Sequence, residues 1–149
     1  MYSAIKVANY FLMKAKEDRK DVTPLQLMKL VYLAHGWMLG VYGRHLIKEP
    51  IEAWQYGPVI PALYHKTKKF KSLPVEYPIE EEDLNFEDDE KTLLDKVYRT
   101  YVDWTGMKLS ALTHMEGSPW FIVWKKKDVN SIIPNDIIRE YYQDKYKKI

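Results

Sequence analysis

The run Thr23–Tyr64, TPLQLMKLVYLAHGWMLGVYGRHLIKEPIEAWQYGPVIPALY, decides the fold. Thr23 is placed to N-cap a helix, Pro24 follows at the first helical position, and Gln26 three residues on completes a capping box. Val22 and Leu27 flank this start at the spacing of a hydrophobic staple. The helix that follows is apolar nearly all round, interrupted before its end only by Lys29 and His35. A helix apolar on every side is buried by its neighbours. His35, Gly36 and Gly40 punctuate it, and it is too short for a bilayer span of about 20 apolar residues. The reading is a central buried helix over about 23–42, ending near Gly43, in a mainly helical single domain covering 1–149.

Working outward, residues 2–17 form an amphipathic helix, with Ile5, Ala8, Leu12 and Ala15 on one face. After Gly43, the apolar pairs Leu46–Ile47 and Ile51–Trp54 flank Lys48-Glu49-Pro50 and are candidates for one small β-hairpin near 45–56. Gly57-Pro58 punctuates, with Pro58 opening a helix that turns Val59, Leu63 and Phe70 inward. Ser72–Asp89 has no helical period and is acidic, so it reads as a surface loop ending at a helix N-terminus. Helices are predicted over Asp89–Trp104 and Met107–His114. Another runs from Pro119, capped by Ser118, to about Trp124. A polar connection, Lys125–Asn130, and an apolar anchor, Ile132-Ile133, precede a last helix burying Ile137, Ile138, Tyr141 and Tyr142.

Composition narrows function. A chain of 149 residues buries roughly 70% of its unfolded surface and needs no covalent staple. It has no cysteine, which fits a reducing cytosol and points to a cytoplasmic protein. No secretory signal is visible, because Lys6 and Asn9 interrupt the apolar start. The net charge of +2 is too small to argue for nucleic acid by itself. His35, His45, His65 and His114 show no helical metal-site spacing, so no metal or cofactor is expected. His114 with Glu116 is a weak pair, on which an unrecognised hydrolase is an alternative reading. There is no nucleophile elbow, phosphate-binding loop or dinucleotide fingerprint, and a helix cap explains Ser118 better than nucleophilic chemistry does. Nothing supports a specific enzyme.

Two stretches point to binding. The basic run His65–Lys71 offers Lys66, Lys68, Lys69 and Lys71 to phosphates, but a solvated helix face is the favoured reading. A third reading has the basic run and the acidic loop steering a protein partner. The aromatics Trp37, Trp54, Tyr56, Trp104 and Trp120 fill a core or anchor an interface, and the sequence leaves both open.

Taken together, Lys29-Leu30-Val31-Tyr32-Leu33-Ala34-His35-Gly36-Trp37, Gly43-Arg44-His45-Leu46 and Glu52-Ala53-Trp54-Gln55-Tyr56-Gly57-Pro58-Val59 resemble the Panacea domain, the SocA-like antitoxin family. Leu109–His114 with Ser118-Pro119-Trp120, and Ile133-Pro134-Asn135 before a helix, are similar to that family's later signatures. The resemblance runs from Val22 to Tyr142. It implies a bacterial, phage or prophage protein that neutralises a cognate toxin, encoded by a neighbouring gene, by direct protein–protein binding. It also implies no enzymatic activity and no membrane. The alternative is a nucleic-acid-binding phage or prophage regulator using the basic 65–71 face; no appended DNA-binding domain is expected, which counts against direct autoregulation. The residues expected to contact the partner are Trp54, Tyr56, Gly57, Pro58, Thr113, His114, Pro119 and Trp120. The competing expectation is that these eight shape the fold, through turns and packing.

Overall fold

The capped helix forms as the sequence predicts. In the computed structural model, which describes residues 1–126 and 130–149, helix α2 spans Pro24–Tyr42. The Thr23 hydroxyl accepts the Gln26 N–H at 3.3 Å, and the Gln26 side chain accepts the Thr23 N–H at 2.8 Å. Gly43 closes the helix in the left-handed region, at φ 68°, and donates to the Leu39 carbonyl. Every residue from Leu27 to Gly36 is buried, and so are Met38, Leu39 and Gly40.

The other helices, in chain order, are α1 (Ala4–Glu17), α3 (Pro61–Thr67), α4 (Asp88–Tyr101), α5 (Gly106–Thr113), α6 (Pro119–Trp124) and α7 (Asn135–Lys147). Ser3, Thr105 and Ser118 cap α1, α5 and α6 through their hydroxyls, and Glu87 with Glu90 forms a capping box on α4. The protein is mainly helical, with α1, α3, α4, α5 and α7 packed on α2, while α6 rests on the hairpin and on α7. Contact with α7 is the most extensive. It depends on Gly36 and Gly40, which lie one helical turn apart and face Tyr142. A Cβ on Gly36 would sit 2.5 Å from the Tyr142 ring, and one on Gly40 would sit 2.7 Å from the Tyr142 backbone carbon.

The small sheet is an antiparallel pair, β1 (Glu52–Trp54) and β2 (Gly57–Val59), joined by Gln55 and Tyr56. Leu46–Ile47 is therefore not the hairpin partner of 51–54, and Pro58 lies in the middle of a strand where a helix start was predicted; the helix starts at Pro61. Two causes are visible. The backbone of 46–48 is already engaged, since the Leu46 carbonyl accepts from Tyr2 N–H and the Leu46 and Ile47 N–H groups donate to His35. Pro58 pairs with Ala53, whose own N–H and C=O point away from β2, to Ser131 and Asn130. This is a non-hydrogen-bonded position of the ladder, where a missing N–H costs nothing.

The acidic 72–87 stretch is non-helical as predicted, yet it is fastened down. Val75 N–H donates to Val22, Phe86 is buried, and the buried Asn9 side chain brackets the backbone of Ile79 and Glu80. Glu82 and Asp83 dock on Ser3 and Lys6 at the start of α1, and Glu80 pairs with Lys66. Helix α4 ends at Tyr101, before the predicted Trp104. Of the predicted anchor, Ile133 is buried but Ile132 is 57% exposed, because Glu52 bridges Ile132 in an extended backbone that alternates faces. The polar connection expected over 125–130 lies partly outside the described residues. No helix among the described residues is long and apolar enough to cross a membrane.

Gly40→Ala tests the α2–α7 contact. Alanine gains about 1 kcal/mol of helix propensity, but its methyl meets backbone, which cannot rotate away. A net loss of about 2 kcal/mol in urea unfolding is expected from overpacking. An unchanged or raised midpoint would mean that the two helices approach less closely.

Candidate partner-binding site

The β1–β2 turn is held from behind by three side chains, each on a different helix. Trp120 Nε1 on α6 donates to the Trp54 carbonyl at 2.6 Å. Ser110 Oγ on α5 donates to the Tyr56 carbonyl at 2.6 Å. Lys29 Nζ on α2 donates to the Pro58 carbonyl at 2.8 Å. The Pro58 carbonyl points away from the two-strand ladder and finds its partner in Lys29. Satisfying such a group avoids a penalty of roughly 1–3 kcal/mol.

Lys29 carries the greatest electrostatic cost. Its side chain is 1% exposed, and burial pushes its pKa down to about 7. Gly57 makes room for it. This glycine has φ 121°, and a Cβ there would lie 2.9 Å from Lys29 Nζ and 3.6 Å from Thr113 Oγ1. The sequence run therefore needs glycine twice over, for backbone conformation and for space.

The second signature packs around this turn. Thr113 bonds back to the Leu109 and Ser110 carbonyls. His114 Nδ1 lies 3.3 Å from Ser110 Oγ, and since that hydroxyl spends its proton on Tyr56, Nδ1 is the donor. The His114 ring meets Trp120 edge-on, with centroids 5.2 Å apart, and Trp120 stacks on Trp124. Pro119 opens α6 behind the Ser118 cap. His35 ties the remaining motifs together. Its Nδ1 accepts the Leu46 and Ile47 N–H groups, so Nε2 carries the proton and donates to Asn135 Oδ1 at 2.9 Å. Burial holds its pKa at about 4, so it is neutral near pH 7. Among the described residues, no three His, Cys, Asp or Glu side chains lie close enough to hold a metal ion, and His114–Glu116 gains no third member.

Of the eight residues expected to contact a partner, Tyr56 is 70% exposed and Trp54 is half-buried. Gly57, Pro58, Thr113, Pro119 and Trp120 are buried and His114 is half-buried; they support the turn from within. Beside Tyr56 opens a cavity of roughly 850 Å³, walled by Leu25, Trp54, Tyr64 and Trp124 and edged by Lys68 and Lys71. Two stretches that the sequence kept apart, the aromatic turn and the basic run, thus share one surface. Lys66 does not join it, being paired with Glu80, and Lys69 lies over the Phe70 ring. Sequence reasoning missed Lys29 and Ser110 as the residues that fix the turn. The available signal was a single lysine inside an otherwise apolar helix.

The family described as antitoxin SocA-like, Panacea domain, matches residues 27–121. The chain belongs to this family. It is similar to the protein named Antitoxin SocA of Caulobacter vibrioides (strain NA1000 / CB15N), at 27% identity over 95% of this chain and 80% of that protein. No solved structure gives a significant match. The matched residues run from the body of α2 to the start of α6 and contain all three donors that hold the turn. The Ile133-Pro134-Asn135 motif lies beyond the matched residues, yet Asn135 reaches His35 inside them. Family membership supports an antitoxin role, and with it a toxin partner in general.

The buried lysine gives a test with a definite sign. Unfolded lysine titrates near 10.4, while Lys29 in the folded chain titrates at about 7. Between these values the unfolded chain binds the extra proton, so folding stability rises with pH. From about pH 7 to 9 this residue alone should add roughly 2–3 kcal/mol. Urea unfolding should record that rise in the wild type and a nearly flat profile in Lys29→Met. A rise that persists in the variant would refute the assignment.

Proposed function

We propose that the chain acts as a single-domain antitoxin that neutralises a cognate toxin by binding it directly, with the β1–β2 turn as its contact surface. The observation that carries this reading is the way the turn is built. Tyr56 projects into solvent from a backbone whose carbonyls are held by three separate helices. A rigid, exposed aromatic beside an apolar cavity is the form that interface hot spots take, because little conformational freedom is lost on binding. The partner is a toxin encoded by a neighbouring gene in a bacterial, phage or prophage genome, and the encounter takes place in the cytoplasm. Direct binding, with no chemical step, is the mode of action proposed.

The nucleic-acid reading has less support. Of its four lysines, Lys66 is engaged by Glu80 and Lys69 lies against Phe70, while Lys68 and Lys71 flank an apolar cavity rather than a continuous basic face. Phosphate tracking needs several free cations in line.

Co-expression with the neighbouring gene product, scored for growth and for complex formation, tests the proposal. Wild type should rescue growth and co-purify with the toxin. Tyr56→Ala should fold with wild-type stability to within about 0.5 kcal/mol, as expected of an exposed side chain, and lose both rescue and complex. Rescue without a complex would overturn binding as the mechanism.

A further inference from the structure

The cavity beside Tyr56 has a chemistry of its own. Its walls are apolar and aromatic, with Trp54 and Tyr64 in edge contact at 5.0 Å. Among the described residues its charged lining residues are all lysines: Lys29, Lys68 and Lys71. Among the described residues none that lines it is acidic, although the chain as a whole carries 21 acids against 23 basic residues. Among the described residues, neither Lys68 nor Lys71 has an acidic partner within salt-bridge distance. Three acids of the nearby loop, Glu82, Asp83 and Glu80, are engaged elsewhere, by Ser3, Lys6 and Lys66.

Backbone conformation marks the same place. Among the described residues only Arg19, Lys71 and Asn130 have positive φ without being glycine, and two of these three line the cavity. Lys71 adopts φ 54°, ψ −113°, outside the regions that a residue with a Cβ favours. Such strain gathers where a side chain must be held for function, and it persists only when the surroundings enforce it. The effect is to end the 3₁₀ turn Lys68–Phe70 with the lysine at the cavity edge.

We infer that this cavity is a docking groove for a segment of the partner protein in which apolar side chains alternate with carboxylates. The apolar side chains enter between Leu25, Tyr64 and Trp124, and the carboxylates meet Lys68 and Lys71. Charge complementarity selects this occupant: an apolar segment without acids leaves both lysines unanswered, and a basic one is repelled. The inference rests on the toxin-binding reading and assigns its surface.

The probe is an acetylated, amidated hexapeptide in which leucine and phenylalanine alternate with glutamate. Glutamine and lysine counterparts serve as controls, and binding is followed by the indole N–H resonances of Trp54 and Trp124. The acidic peptide should bind with submillimolar affinity, weaken as salt is added, and exceed the glutamine peptide at least tenfold. The double variant Lys68→Glu, Lys71→Glu should reverse the preference toward the lysine peptide. Lys71→Gly should melt at a higher temperature than wild type, because glycine relieves the strain, yet bind the acidic peptide more weakly. Equal binding of the three peptides, no shift at either indole, or a preference that survives charge reversal would overturn the groove. The growth assay separates this proposal from the one beneath it. Neutralisation that survives the double variant sinks the groove and leaves the antitoxin reading. A wild-type chain that prefers the acidic peptide but never neutralises sinks the antitoxin reading alone.

Discussion

The ammonium of Lys29 is withdrawn from water in the middle of an apolar helix and given the Pro58 carbonyl as its hydrogen-bond partner. Taking an amine into an apolar interior costs several kcal/mol, and here it is lessened by a charge-assisted hydrogen bond and by a pKa brought down to about 7. The requirement spreads outward. The carbonyl of Pro58 must face α2, so Pro58 must occupy a ladder position that needs no N–H. Gly57 must lack a Cβ, or the ammonium has to shift from its place against Pro58. The turn between Trp54 and Gly57 is then committed to one orientation, and Ser110 and Trp120 complete its fastening.

A second polar group does the same work further along α2. His35 is buried and neutral, and both ring nitrogens are used, one by the chain after Gly43 and one by Asn135 at the start of α7. With Gly36 and Gly40 letting Tyr142 lie directly on the helix, α7 is fixed in position and direction. The two polar residues that interrupt an apolar sequence are thus its attachment points. Apolar burial is non-directional, whereas a buried donor accepts few arrangements, and that difference converts a collapsed bundle into one geometry.

The separation between support and display follows from this frame. Most of the residues that hold the turn are buried and support one another, while Tyr56 and part of Trp54 reach the surface. An exposed side chain such as that of Tyr56 can be replaced at little cost to the core.

Local chemistry is what the sequence determined by itself. The Thr23–Gln26 box, the Gly43 cap, the Ser118-Pro119 start and the aperiodic acidic stretch were all legible, because each depends on neighbours within four residues. The near-uniform apolarity of 27–42 announced a central helix, and the quoted motifs announced the family. Tertiary structure alone decided where the hairpin fell, since Leu46–Ile47 was diverted to Tyr2 and His35, partners far along the chain. It alone turned Ile132 outward, made Lys29 and Ser110 the supports of the turn, and brought Lys68 and Lys71 beside Trp54 and Tyr56. The reason is physical: capping and periodicity are written within single turns of chain, whereas the partner of a buried donor and the neighbours of a surface side chain depend on how separate helices pack.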